Sequence, residues 1–224
     1  MGNAFELIKS IPNQSVDLIL TDPPYNIGSY SSGNIKFKNR KDMNNDIAEW
    51  DHDIVDPLEM VDDMVRILKP TGNIIIFTGS NLFGRWHAAL DPIFDTFQYA
   101  AWHKTNPTPS VRKSSFLNSI ELIVCCWNKG HTWNFTTQRD MHNFIETPVC
   151  AGKERYSHPT QKPLTVIDHF VKIASDEGDV VVDPFMGTGT TGLSACRLNR
   201  NFIGFECDPT YFGWATERMS AYVS

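Results

Sequence analysis

Residues 180–199 read VVVDPFMGTGTTGLSACRLN: a β-branched run, an acid, a loop of glycines and small hydroxyl side chains, and then a helical pattern. Val180, Val181 and Val182 do not alternate with polar residues, so both faces of that strand are expected to be covered. Gly187, Gly189 and Gly192 fit the G-x-G-x-x-G spacing, in which glycines let a ligand approach the backbone at a helix N-terminus. Alone that match is weak. The next strand candidate, FIGFE at 202–206, ends in Glu206, an acid placed to bind ribose hydroxyls. Together the loop and the acid read as a site for an adenosine-containing cofactor. The plain alternative is a tight turn beside a surface acid.

Outward from this unit, short apolar runs alternate with helical patterns. Strands are expected at 16–20, 73–78, 97–103, 120–127, 180–183 and 202–206, and helices at 57–68, 82–90, 163–175, 190–198 and 209–222. Pro57 suits a first helical position, and Pro70-Thr71-Gly72 has the chemistry of a turn that ends the helix. Alternation of this kind implies an α/β sandwich on a largely parallel sheet with helices on both faces. No helix is evident between 97–103 and 120–127, so one of those strands is expected to be antiparallel. The stretches 26–56 and 128–162 lack a regular pattern, and loops of that length in a compact domain are usually functional or disordered.

A chain of 224 residues fits one domain and buries roughly 70% of its unfolded surface. With 41% hydrophobic and 21% charged residues, it has the composition of a globular protein. No apolar run reaches the length of a membrane span and no signal pattern opens the chain, so a cytoplasmic location is expected. The five cysteines show no CxxC spacing, which suggests reduced thiols rather than a disulfide framework or a zinc site. The net charge of −6 is unevenly spread: 28–41 carries Lys36, Lys38, Arg40 and Lys41 with no acid, 102–162 has eight basic against four acidic side chains, and 42–63 has nine acids and no base. Such segregation allows a basic face, or merely solvated loops, on an acidic protein.

A second strand end is equally loaded. In LILTDPPYNIGS, residues 18–29, a greasy run stops at Asp22-Pro23-Pro24-Tyr25. Ligands of open α/β sheets bind at the carboxyl ends of strands. A dehydrogenase would need a second phosphate-binding loop in the other half of the sheet, and this half supplies DPPY instead, which points away from a pyrophosphate cofactor.

In order along the chain stand GNAFELIKSIPNQSVDLILTDPPYN, VRILKPTGNIIIF, WHKTNPTPS, ELIVCCWNKG, HPTQKPLTVIDHFVKIAS, DPFMGTGTTG and NFIGFECDPTYF. On these segments most of the chain resembles the S-adenosylmethionine-dependent DNA amino-methyltransferases, in the permuted (beta-class) group where DPPY precedes the glycine loop. The resemblance implies a Rossmann-like methyltransferase fold in a single domain over 1–224. It also implies methyl transfer to an exocyclic amine, adenine N6 or cytosine N4. Asp before Pro-Pro-Tyr is more typical of the adenine enzymes and Ser of the cytosine ones, which favours adenine.

Roles follow from the resemblance. The target amine is a poor nucleophile because its lone pair is delocalised into the ring. Asp22 would accept one of its hydrogens and the Pro23 carbonyl the other, localising the lone pair, with Pro24 fixing backbone direction. The base must leave the stack to be reached, and Tyr25 would stack on it. Asp183, Phe185, Gly187, Thr188 and Gly189 would wrap the cofactor's methionine part, with Glu206 on the ribose and Thr160 and Lys162 near the methionine end; Asp22 and Thr190 would border the same cofactor. No metal is implied. Asn3 stands where the family usually has Asp at the cofactor adenine, and the chain starts so close to this motif that a sheet strand is expected to be shortened or absent.

The chain is short for the family, so recognition falls to loops at about 28–53, 105–118 and 128–157. Lys36, Lys38, Arg40, Arg112, Lys113, Arg139 and Arg155 are the phosphate-contact candidates, while Trp133 and Phe135 are equally compatible with local core. DNA is the implied partner; a second copy of the chain and a cognate restriction endonuclease are further candidates. Rival readings are a methyltransferase for RNA or a protein amide, an inactive DNA-binding module, and a nicotinamide oxidoreductase.

Overall fold

The computed structural model describes residues 1–25, 56–109, 116–156 and 160–222. One sheet holds seven strands: β1 (Val16–Thr21), β2 (Leu68–Thr78), β3 (Thr96–Lys104), β4 (Ile120–Trp127), β5 (Phe144–Thr147), β6 (Val180–Asp183) and β7 (Asn201–Gly204), in the order β5-β3-β4-β2-β1-β6-β7. β1 runs parallel to β2 and β6, β6 to β7, and β3 to β5, whereas β4 is antiparallel to both β2 and β3. The expected antiparallel strand is therefore β4.

The unbroken apolar run of β2 is explained by a core on each side of the sheet. Ile74 and Ile76 point into one with Ile19, Met64, Ile67 and Trp86, while Ile75 and Phe77 point into the other with Leu18, Leu20, Val166 and Phe170. Each such fully buried side chain contributes ~1.5–3 kcal/mol. Helices α1 (Ala4–Leu7), α2 (Val61–Ile67) and α3 (Ser80–Leu90) cover the first face, and α4 (Leu164–Ala174) and α5 (Thr190–Arg197) the second, with α6 (Pro209–Ser220) packed on α5. Among the described residues, no helix is long and apolar enough to cross a membrane.

β1 and β6 are neighbours, but the chain leaves β1 toward β2 on one side and β6 toward β7 on the other. This is the switch point at which a crevice opens beyond the strand ends. It brings DPPY and the glycine loop together, although 157 residues of chain lie between Tyr25 and Asp183.

Four local expectations need correction. The 57–68 helix is a 3-10 turn, Pro57–Met60, followed by α2, which stops at Ile67. Pro70-Thr71-Gly72 is no terminating turn but part of β2, where the register jumps from Val16↔Leu68 to Leu18↔Asn73. The extra residues bulge out there, and Gly72 is needed because a Cβ would come within 2.7 Å of Leu68 and 2.9 Å of the Asp17 carbonyl. The stretch 128–162 contains β5 and the 3-10 turn Gly152–Glu154, so 128–157 is not one irregular loop. Finally, β7 ends at Gly204, leaving Glu206 beyond the strand.

At the N-terminus residues 1–3 form no strand. The Gly2 N–H donates to the Glu206 carbonyl at 2.9 Å, a single bond beyond the end of β7.

Candidate active site

A cavity of about 250 Å³ opens at the ends of β1 and β6. Asp22, Pro23, Pro24 and Tyr25 line it from β1, and Asp183, Phe185, Gly187, Thr188 and Thr190 from the loop after β6. Glu206, Asn3, Thr160 and Lys162 complete the wall, so all the expected catalytic and cofactor residues except Gly189 face one space. Gly189 sits at the N-cap of α5 with φ 74°, and a Cβ there would come within 2.7 Å of Ala215. Its bare backbone lets α6 close on α5. Gly192, the third glycine, does similar work against Phe202 and Met219.

Asp183 is pinned rather than free. The Thr21 hydroxyl donates to its Oδ1 at 2.7 Å and the Phe185 N–H donates to the same oxygen at 3.1 Å. Burial pushes its carboxyl up to about 6. At the opposite wall the Asp208 N–H donates to Glu206 Oε1 at 2.8 Å, and Asn3 caps α1 by accepting the Phe5 N–H at 2.8 Å. The Phe5 ring meets Phe185 edge-on at 6.2 Å between centroids, closing the cavity from the N-terminal side.

Asp22 stands in the densest cluster. Its Oδ1 accepts the Tyr25 hydroxyl at 2.7 Å, and its Oδ2 pairs with the Lys162 ammonium. Lys162 also pairs with Glu121 at 3.2 Å, and Glu121 with Lys104 at 2.7 Å. The Lys162 side chain is 5% exposed, so it is a buried charge held by its two carboxylate partners. Burial pushes the Asp22 carboxyl up from its ordinary value against the opposing pull of Lys162. Burial also works on Glu121, but the ammonium groups of Lys162 and Lys104 hold its carboxyl below the ordinary range. Burial pushes the Tyr25 phenol well up, so it acts as a hydrogen-bond donor. The tyrosine backbone is fixed by Asn81, whose side-chain amide donates to the Tyr25 carbonyl at 2.7 Å from the start of α3.

A family model described as DNA methylase matches residues 16–217. The chain belongs to the N6/N4 DNA methylase family. It is 33% identical, over 97% of its length and 67% of the relative's, to the Type II methyltransferase M.HinfI of Haemophilus influenzae. Among solved structures, it superposes on the M1.HpyAVI–SAM complex with a TM-score of 0.73 at 27% identity, covering 97% of this chain and 96% of the other. The PvuII DNA methyltransferase, described as cytosine-N4-specific, has the same fold: TM-score 0.72 at 20% identity, covering 97% of this chain and 84% of that one.

The methylase's remaining expected residues divide. Lys36, Lys38, Arg40, Arg112 and Lys113 lie outside the described residues, as does His158 of the HPTQKP segment. Arg155 is exposed and lines a second cavity, of about 220 Å³, beside Lys104 and Glu121. Arg139 is exposed in the turn before β5, on the far side of that strand from the loaded edge. Trp133 and Phe135 stack on each other at 5.1 Å and pack against the core, so they are structural. Burial pushes the thiol of Cys125 up to about 12, and that of Cys126 up as well, as befits inert core cysteines.

Two residues of the cluster, Glu121 and Lys104, had no signal in the sequence. Glu121 reads as an ordinary strand residue until the direction of β4 is known. Because β4 is reversed, its first residues lie at the same edge as the last residues of β1, β2 and β3. Lys104 is the final residue of β3 and arrives there for the same topological reason.

Proposed function

We propose that the methylase uses S-adenosylmethionine to methylate the N6 amine of an adenine flipped out of DNA. The observation that carries this reading is Asp22-Pro-Pro-Tyr25 on the wall of a cavity whose charge suits such a cofactor. Four carboxylates (Asp22, Glu121, Asp183 and Glu206) line it against one ammonium, Lys162. That balance favours a ligand of net positive charge, as a sulfonium-bearing amino acid is, and disfavours a pyrophosphate. When bound, S-adenosylmethionine supplies a methyl group on an electron-poor sulfur.

The chain's own groups do the rest. Glu206 holds ribose hydroxyls; Asp183 and the backbone of Gly187 and Thr188 face the amino-acid end, with Thr160 and Lys162 nearby. Asp22 accepts one amine hydrogen and the Pro23 carbonyl the other, withdrawing the nitrogen lone pair from conjugation with the ring and localising it toward the methyl group. A carboxylate has about four acceptor sites, so Asp22 receives the amine while keeping Lys162 and Tyr25. The Tyr25 ring stacks on the base. Arg155 and the basic side chains of 28–41 contact phosphates.

Asp at the first position of the motif supports adenine over cytosine. The test is mass spectrometry of nucleosides digested from DNA treated with the protein and cofactor. N6-methyladenine is the expected product. N4-methylcytosine alone would overturn the base while keeping the mechanism, and neither product, with calorimetry showing S-adenosylhomocysteine binding, would move the substrate off DNA.

A further inference from the structure

Asp22, Lys162, Glu121 and Lys104 form an alternating row of charge that crosses four parts of the fold. Asp22 follows β1, Lys162 precedes α4, Glu121 is the second residue of β4 and Lys104 closes β3. The ammonium of Lys162 also lies 5.6 Å from the Tyr25 ring centroid and 5.3 Å from that of Phe77, so aromatic faces enclose it on the sides the carboxylates leave open. A lysine so enclosed cannot snorkel to water. Its direction is set by its partners.

We propose that Lys162 is a positioning residue that keeps Asp22 charged and aimed at the target amine, with Glu121 anchoring Lys162 and Lys104 anchoring Glu121. The inference rests on the methyl-transfer reading for Asp22's role, and it takes Lys162 from the cofactor's methionine end to the catalytic carboxylate.

The physical need is specific. A protonated Asp22 would offer a donor where the amine also offers donors, and the lone pair would stay in the ring. Asp22 is faced by Glu121 from β4, by Asp183 from the end of β6, by Tyr25 from its own loop and by Lys162. Lys104 reaches it only through Glu121. Lys162 is thus the one cation, among the described residues, that contacts a carboxylate otherwise surrounded by burial and like charge. Removing it leaves Asp22 to take up a proton; removing the Glu121 charge relieves repulsion and does the opposite.

The experiment follows the Asp22 carboxyl-carbon NMR signal with pH in the full-length, cofactor-free protein, assigned as the signal lost in Asp22→Asn, and the pH profile of kcat/KM. Lys162→Met is expected to raise both the Asp22 midpoint and the acid limb by about one pH unit or more, with turnover near neutrality down about tenfold or more. Glu121→Gln is expected to move both downward, and Lys162→Arg to restore the wild-type midpoint in part. If Lys162→Met does not fold, the double variant Lys162→Met/Glu121→Gln removes one charge of each sign and still raises the midpoint, because the contacting cation outweighs the more distant anion. Midpoints unmoved in these variants would overturn the proposal. So would loss of S-adenosylhomocysteine affinity in Lys162→Met with the Asp22 midpoint unchanged, which would return the lysine to the cofactor. A wild-type protein that yields no methylated nucleoside, with midpoints moving as stated, would sink the methyl-transfer reading and leave the charge row standing.

Discussion

At the scale of single residues, the site contains a half-buried acid, Asp22, and a buried one, Asp183, given different work by their neighbours. Asp22 is held by a cation and a phenol with acceptor capacity to spare, whereas Asp183 is bound by Thr21 and the Phe185 N–H and serves as an anchor. Asp22→Ala is therefore expected to leave S-adenosylhomocysteine affinity near wild type by calorimetry while methyl transfer falls more than about tenfold, at ~1.4 kcal/mol per decade. Lys162 keeps Glu121 as a partner in that variant, so the fold should survive. For Asp183 the prediction is thermodynamic. Its folded-state pKa is raised from 3.8 to about 6, so the folded protein holds a proton that the unfolded chain releases. The stability this group contributes is present below 3.8 and lost as pH rises through about 6, a swing of ~3 kcal/mol. Asp183→Asn keeps an acceptor for Thr21 and abolishes the titration. Denaturant melts at pH steps across this window should show wild type losing stability relative to the variant; parallel curves would mean that Asp183 titrates alike in both states.

At the scale of elements, the glycine loop joins two functions that its spacing alone does not separate. Gly187 lines the cavity, while Gly189 is spent on packing, since α6 brings Ala215 to where its Cβ would be. Gly189→Ala should cost ~1–2 kcal/mol for the left-handed backbone and a further ~1–3 kcal/mol for overpacking. Ala215→Gly in the same chain should recover the packing part and not the backbone part. Chemical melts of the two single variants and the double would show that coupling, and strictly additive losses would show that α6 does not press on the loop. This division was invisible in the sequence because Gly189 and Ala215 meet only through tertiary structure. What was legible had a strong local period or end signal: β4, β6 and the buried run of β2 are where the apolar pattern puts them. What was missed lacks one. β5 is four residues long with partly exposed positions, too short for alternation to register. Pro70-Thr71-Gly72 carries genuine turn chemistry, yet pairing of β2 with β1 overrides it as a bulge. In the site, DPPY and the glycine loop were readable because each is contiguous. Glu121 and Lys104 depend on the direction of a strand, which composition does not encode.

At the scale of the whole molecule, the methylase carries a net charge of −6 and an acidic cavity, yet belongs to a family that acts on a polyanion. Segregation of charge resolves the conflict only if the basic side chains lie at the edge where the strands end. Arg155 does, beside the cavity that Glu121 and Lys104 also line, whereas Arg139 sits in the turn that precedes β5. Phosphate contacts release counterions, so log affinity should fall linearly with log salt concentration by about 0.9 per contact. Arg155→Ala is expected to flatten that slope by about one contact, and Arg139→Ala to leave it unchanged. Neutralising Lys36, Lys38, Arg40 and Lys41 together should flatten it further without altering cofactor affinity. Fluorescence anisotropy of labelled duplex across a salt series measures all three variants against wild type. Equal slopes for Arg155→Ala and wild type would remove Arg155 from the DNA path. A flattened slope for Arg139→Ala would mean that DNA extends past β5, around the edge of the sheet and away from the chemistry.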